Sequence, residues 1–427
     1  MREDLLHFIW KTNKLQHKEL TTTSGESIVI QNLGLHNQNT GPDFFNAKLV
    51  IAGQVWAGNV EMHLKSSDWY AHGHETDSNY DNVILHVVWE DDVAVFRKDK
   101  TEIPTLTLKN LITTSFLDHY RKLLYNSKRT FVNCEKDLAS VDGFLRTNWA
   151  ERLYIERLEQ KSKLIFDLLK ASKNDWEAVL FKLLLKNFGL KVNGEAFKGI
   201  AEATDFSVIR KLGNDVFALE SVILGQARLF DIKHDGDAYY AKLQKEYAFQ
   251  KAKFLLRNES VQKPDFFGLR PNNFPTIRLS QFANLYASNE SLFSKVVQVD
   301  DLGAMYTIFH AETSDYWRDH YTFGKVSKSS KKRLTKSFID LLLINTIIPL
   351  KFAYQKIHGK MEEGLLLGLA MALGPEKNNI ISKFDEIDTT TKNAFESQSR
   401  LQLYNEYCSK NQCLRCKIGT ALLNKNG

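Results

Sequence analysis

The sequence predicts an α+β protein in which an amino-terminal mixed-sheet module is followed by a large all-α domain. Three observations lead there. The chain has 427 residues, whereas a single core seldom grows beyond roughly 250 to 300 before the chain divides. Up to about residue 112 the apolar residues fall in short runs rich in Val, Ile, Phe and Trp, and beyond it they recur at the helical period. The charge divides at the same place. Residues 1–112 hold 10 Lys/Arg and 15 Asp/Glu, a balance of −5, which leaves +11 of the net +6 for 113–427. The expected domains are therefore 1–112 and 113–427.

In the first module, Glu3 to Lys14 places Leu5, Leu6, Ile9 and Trp10 at helical spacing. Strands are expected over Ser27 to Asn32, Phe44 to Ile51, Gln54 to Lys65, Asn82 to Trp89, Val93 to Arg97 and Pro104 to Leu108, each bounded by turn-forming residues. Ala52-Gly53 is a hairpin signal. Ser66 to Asp81 is polar and begins with a candidate helix cap at Ser67, so it reads as a helix or an ordered loop returning the chain to the sheet. The run from Val83 to Trp89 is almost wholly apolar and belongs at the sheet centre. Beyond residue 112, helices are expected over Asn148 to Ala171, Asp175 to Phe188, Asp215 to Phe230, Asp237 to Arg257, Ser337 to Ile357 and Lys392 to Ser409. Lys263 to Arg278 holds Pro264, Pro271 and Pro275 and is expected to be an ordered, non-helical connection.

With 43% hydrophobic and 25% charged residues the composition is that of a folded protein and excludes fibrous and disordered classes. Phe338 to Phe352, the longest apolar candidate, is interrupted by Asp340, Asn345, Thr346, Pro349 and Lys351, so a buried helix and no membrane association are expected. The acidic start, MREDLLHFIW, lacks the pattern of a secretory signal, and four cysteines are too few for a disulfide framework; both point to the cytoplasm.

The chemistry concentrates near Asp43. Eighteen residues later, Glu61, His63 and Lys65 alternate along one strand, and alternation places all three on one face, opposite Val60, Met62 and Leu64. Two carboxylates joined by a hairpin suit a hard cation such as Mg²⁺ or Mn²⁺, with Lys65 or His63 positioned to assist an attacking water. His72 and His74, accompanied by acids, form an alternative set for a transition metal, and His86 in an apolar strand needs a partner if buried.

The Pro42-Asp43 pair and Glu61, set in this order of helix and strands, resemble the PD-(D/E)XK phosphodiesterase superfamily over about 110 of the 427 residues. The resemblance implies cation binding by Asp43 and Glu61, with Glu3 as the candidate third ligand. The superfamily lysine falls at His63, and Lys65 lies one same-face step further. Taken together, GPDF, GNVE-M-H, SSDW-x-x-H-x-H, VILHVVW, RPNNFP and C-x4-C-x2-C resemble a bacterial family described as a domain of unknown function, over nearly the whole chain.

Near the carboxyl end, Cys408, Cys413 and Cys416 are spaced to hold Zn²⁺ or an iron–sulfur cluster, with Cys134 as the fourth ligand. For a DNA or RNA partner the candidates are Arg270 and Arg278 around Phe274, and Lys325, Lys328, Lys331, Lys332, Arg333 and Lys336 in a run without acids. Three functional readings follow: a metal-dependent, nuclease-like phosphodiesterase; a non-catalytic nucleic-acid or protein-binding scaffold; and a small-molecule metallohydrolase using the histidines.

Overall fold

A computed structural model of the chain describes residues 1–15, 18–37, 39–125, 129–231, 234 and 237–424. It is an α+β protein with an amino-terminal mixed sheet and a large helical part. Two units divide it, one of residues 1–149 and 404–427, the other of 150–403. The first unit thus extends past residue 112 to include the helix Thr114–Leu124, and it takes back the carboxyl-terminal segment with its cysteines.

In the first unit, helix α1 (Glu3–Lys11) precedes strands β1 (Leu20–Thr21), β2 (Ser27–Asn32), β3 (Leu35–His36), β4 (Phe44–Ile51) and β5 (Gln54–Lys65). After the short helix α2 (Asp68–Ala71) come β6 (Val83–Glu90), β7 (Thr105–Thr107) and helix α3 (Thr114–Leu124). The sheet order is β1-β2-β4-β5-β6-β7, with β3 beside β4; pairing is antiparallel as far as β5 and parallel from β5 to β6 to β7.

The β4–β5 hairpin turns at Ala52 and Gly53, where φ is 50° and 81°. Two successive positive φ values match the right-handed twist of the flanking strands. At the other end of the hairpin a bulge between Phe44 and Ala47 shifts the register, with Asn46 at φ 56°. Beyond the bulge Phe44 pairs with Val60. Leu5, Leu6, Ile9 and Trp10 of α1 are buried with Leu49, Ile51, Val60, Met62, Leu85 and Val87, each such side chain contributing about 2 kcal/mol of hydrophobic stabilisation. This packing covers one face of β5 and leaves the opposite face to Glu61 and His63.

Several sequence expectations need correction. Val93 to Arg97 is not a strand; a single bridge, Phe96 to Glu102, closes a turn there. Ser67 precedes α2 but its hydroxyl does not cap the helix, donating instead to Asp92 at 2.9 Å. Lys263 to Arg278 is not free of helix, because Pro275 opens the helix Pro275–Ala287. Proline costs nothing at a first helical position, where the missing N–H has no intrahelical acceptor. The apolar segment is also longer than expected: Lys336–Ile357 has the length and composition to cross a bilayer, and 72% of its most apolar window is buried. Its polar residues do not interrupt it because they are satisfied where they lie. Thr346 accepts from Asn187 at 2.7 Å, and the Lys351 ammonium donates to the Val299 carbonyl at 2.8 Å and to Asp300 at 2.7 Å.

The second unit has its own core, running from Tyr154 to Phe395. Within it Glu220 is fully buried and accepts from Tyr239 and Ser280 at 3.0 Å, from the Trp317 indole at 2.5 Å and from Ser314. Burial pushes its carboxyl above the usual range although all four donors oppose the shift. Replacing Glu220 by leucine orphans these donors, so the second unit should lose about 3 kcal/mol or more, and Glu220→Gln distinctly less. Urea denaturation followed by tryptophan fluorescence measures this, and equal midpoints for both variants and the parent would refute it.

Candidate metal centre

β5 runs through the middle of the sheet, and its register with β6 sets Glu61 beside His86 and His63 beside Val88. Asp43, just before β4, and Glu61 grip each other's strands: the Asp43 N–H donates to Glu61 Oε2 and the Met62 N–H to Asp43 Oδ2, both at 3.0 Å. Glu61 Oε1 is thereby aimed away from Asp43, and it lies 3.5 Å from His63 Nε2 and 3.5 Å from His74 Nε2.

The other two histidines come from the segment between α2 and β6. Asp92 pins the start of that segment, accepting from the Ser66 hydroxyl at 3.0 Å and from the Ser67 N–H at 2.9 Å. Gly73, at φ 72°, then turns the chain between His72 and His74. His72 Nδ1 comes within 3.1 Å of His63 Nε2, and the His74 ring stacks on Tyr80 at 3.7 Å. The donor atoms of His63, His72 and His74 all lie within 4.8 Å of one another.

Ligand atoms bound tetrahedrally at about 2.0 to 2.1 Å from Zn²⁺ stand about 3.3 Å apart; three of the six separations among His63, His72, His74 and Glu61, 3.1, 3.5 and 3.5 Å, lie close to that value, and the three imidazole donors lie within 4.8 Å of one another. Beyond these ligands, His63 Nδ1 lies 2.9 Å from His86 Nε2, and Nδ1 of His86 is buried without a hydrogen-bond partner. A proton on that nitrogen leaves His86 Nε2 to accept from His63 Nδ1–H, which frees His63 Nε2 as a ligand; the outer histidine fixes the tautomer of the inner one.

The electrostatics agree with the geometry. Burial first, then the neighbouring imidazoles, pushes His63 down to about 2, and burial followed by His74 brings His86 down to about 3. Both rings are therefore neutral, the form that binds metals. Burial and then the Asp43 charge push Glu61 up to about 9, and burial, Glu61 and Asp43 push Tyr80 up to about 12.

Helix α1 supplies a further side. His7 Nε2 is 3.1 Å from Asp43 Oδ2; burial lowers its basicity, and Asp43 more than restores it. Glu3, one turn earlier, is partly buried and raised by burial and by Asp43. The carboxylates and histidines expected as alternative sites thus meet at one, joined through Glu61 Oε1. Lys65 does not take part. Its side chain is 57% exposed and its ammonium is 4.0 Å from Asp92. Sequence reasoning missed His7, although its spacing of four residues from Glu3 on an amphipathic helix was visible, and it gave His86 no role toward a metal.

The four cysteines gather in the first unit as free thiols. Cys413 Sγ accepts from Asn133 at 3.2 Å, and the Cys416 N–H donates to the Cys413 carbonyl at 3.2 Å. Burial, then the neighbouring Cys416 and Cys413 sulfurs, pushes Cys134 up to about 12, and Cys408 is raised by burial and by all three others. At Gly419, at the start of the helix Lys417–Leu423, an added Cβ would meet the Cys413 carbonyl oxygen at 2.2 Å.

Two of the residues expected to hold nucleic acid are buried instead. The Arg278 guanidinium lies 3.6 Å from the centre of the Phe338 ring and donates to Gln281 at 3.0 Å and Asn273 at 2.6 Å. Lys332 is 4% exposed and donates to the carbonyls of Trp317 and Arg318. Arg270, Lys325, Lys328, Lys331, Arg333 and Lys336 are exposed.

No curated protein and no solved structure matches the chain. A family model described as "Protein of unknown function (DUF2851)" matches residues 3–379, which hold the whole histidine and carboxylate site and Cys134 but end before Cys408. With nearly nine-tenths of its length under that match, as its motifs led one to expect, the chain belongs to the DUF2851 family.

Proposed function

We propose that this protein is a metal-dependent hydrolase of the phosphodiesterase type, with Glu61, His63, His72 and His74 holding one divalent cation. The convergence of the three imidazole donors within 4.8 Å, with Glu61 Oε1 3.5 Å from His63 and from His74, carries the reading. Three imidazoles favour Zn²⁺ or Mn²⁺ over Mg²⁺, which prefers oxygen ligands. Such a cation lowers the pKa of a bound water and stabilises negative charge developing on a substrate oxygen. Asp43 holds Met62 and faces His7, so the Asp43–His7 pair is placed to take a proton at the rim of the site. The order of helix α1, antiparallel β2, β4 and β5, and then β6 parallel to β5, with Asp43 leading β4 and Glu61 within β5, supports a phosphodiester substrate by its resemblance to the PD-(D/E)XK arrangement. The exposed cations of residues 325–336 and Arg270 are available to DNA or RNA. At the cysteines, a structural Zn²⁺, or an iron–sulfur cluster, would bind Cys134, Cys408, Cys413 and Cys416.

A second reading, hydrolysis of a small molecule, is favoured by the histidine-rich donor set and by the burial of Arg278 and Lys332. The deciding experiment supplies Mn²⁺, Zn²⁺ or Mg²⁺ and measures cleavage of single- and double-stranded DNA, RNA and bis(4-nitrophenyl) phosphate. Hydrolysis with Mn²⁺ or Zn²⁺ is expected, reduced more than about 100-fold in Glu61→Ala, while Lys65→Ala keeps the parent rate. Cleavage of the small diester alone selects the second reading. Inertness toward every substrate, or full activity in Glu61→Ala, refutes the proposal.

A further inference from the structure

The second unit contains a cavity of about 360 Å³, within the range of roughly 300 to 1,000 Å³ typical of small-molecule sites. Its cationic lining is Arg157, Lys161 and Lys186, and no acid lines it. The helix Gly143–Ala171 supplies the first two, and Trp176–Phe188 supplies the third together with Asn187. Across from them lies the π-helical segment Leu343–Ile347, which brings Asn345 and Thr346 to the lining. A π turn inside an α-helix is uncommon and is found disproportionately at functional sites.

Three of the polar contacts that hold this lining are with neutral groups and one is with an acid. Lys161 Nζ donates to Asn345 Oδ1 at 2.9 Å, Arg157 Nε to Gln398 Oε1 at 2.7 Å, and Asn187 Nδ2 to Thr346 Oγ1 at 2.7 Å. Lys186 reaches Glu195 at 3.3 Å, a pair whose acid is 71% exposed. The cavity thus brings three cationic side chains, one of them paired with an exposed acid, to one lining with amide groups, beside an apolar wall of Leu164, Ile165, Leu183 and Pro349.

We propose that this cavity binds a small phosphomonoester, its phosphate held by Arg157, Lys161 and Lys186 and its organic group against the apolar wall. Guanidinium and ammonium groups that converge in a partly desolvated pocket favour a phosphate over a neutral ligand. The Lys161 ammonium supports this, because burial first and Arg157 second push it down to about 7 even though Glu376 acts the other way, and a bound anion would relieve that cost. The site is independent of the proposed metal centre, and no part of the metal reading is needed for it.

Calorimetric titration of the full chain with adenosine monophosphate and with inorganic phosphate, at constant ionic strength and with chelator present, tests the proposal. Saturable binding of the nucleotide is expected with a Kd below about 1 mM, and weaker binding of phosphate. Lys161→Gln should weaken nucleotide binding about tenfold or more, through loss of one charge-assisted hydrogen bond. Gln160→Glu, which adds a carboxylate to the lining at an exposed position, should do the same with an unchanged circular dichroism spectrum. His63→Ala should leave binding intact. Absence of saturable binding to either probe, or affinities within twofold of the parent in both pocket variants, overturns the proposal, as does binding that is lost in His63→Ala.

Discussion

Replacing His63 by alanine is expected to strip the proposed metal from the sheet module while leaving the metal proposed at the cysteines in place. The parent should bind about two metal ions per chain, one at each centre, and His63→Ala about one. His63 joins the two halves of the site: its Nε2 faces His72 at 3.1 Å and Glu61 at 3.5 Å, and its Nδ1 faces His86 at 2.9 Å. Removing it takes away a ligand and leaves His86 buried without its imidazole neighbour. Affinity should fall more than about 100-fold. His86→Phe, which removes the outer partner alone, should cost about 10- to 100-fold. Elemental mass spectrometry of the purified proteins reads the stoichiometry, and competition with a chromogenic chelator reads the affinity. Unchanged metal content in His63→Ala would dispose of the metal centre, and an effect of His86→Phe as large as that of His63→Ala would place the metal elsewhere.

The second large effect is expected at Gly419. A methyl group there would stand 2.2 Å from the Cys413 carbonyl oxygen, and the neighbouring atoms in its way, the Cys413 carbonyl carbon at 2.9 Å and Cα at 3.2 Å, are also backbone. No rotamer change can relieve the overlap. The helix Lys417–Leu423 must move off the Cys413–Cys416 turn, carrying Leu423, which is 1% exposed, out of the first unit's core. Gly419→Ala should therefore destabilise the first unit by about 3 kcal/mol or more and abolish the metal binding proposed at the cysteines. Cys413→Ser should lose the same metal with a smaller change in packing. Thermal denaturation with and without a strong chelator separates the contributions: a parent protein whose melting temperature ignores the chelator excludes a stabilising metal, and a Gly419→Ala variant that melts with the parent excludes the packing argument.

Much of the site was legible in the sequence because it is local. Alternation along Gln54 to Lys65 placed Glu61 and His63 on one face, and the Ala52-Gly53 turn brought Asp43 to their level. Alternation failed at Lys65 because the strand there runs beyond the segment that covers Glu61 and His63, so its side chain meets water and Asp92. His7 was missed because its approach to Asp43 depends on how α1 packs over the sheet, which no local period encodes. The same limit explains the basic run. Lys332 looked like any solvated lysine, but two carbonyls from residues 317 and 318 form a buried acceptor site for it. Arg278 is held across sixty positions of chain by the ring of Phe338. The cysteines were legible as a cluster, whereas the need for glycine at position 419 was not, since it arises only once the turn and the helix meet.

The attachment of Ser66 and Ser67 to Asp92 has a consequence for biosynthesis. Every proposed ligand lies between residues 61 and 74, so all four leave the ribosome early and close together. Their arrangement nonetheless depends on β6 having paired with β5 and on the carboxylate of Asp92, which follows that strand. A nascent chain that ends before Asp92 holds the ligands without the clasp that orients them. Capture of the proposed metal would thereby follow closure of the sheet, and a partly made chain would be spared from trapping whichever cation it meets first.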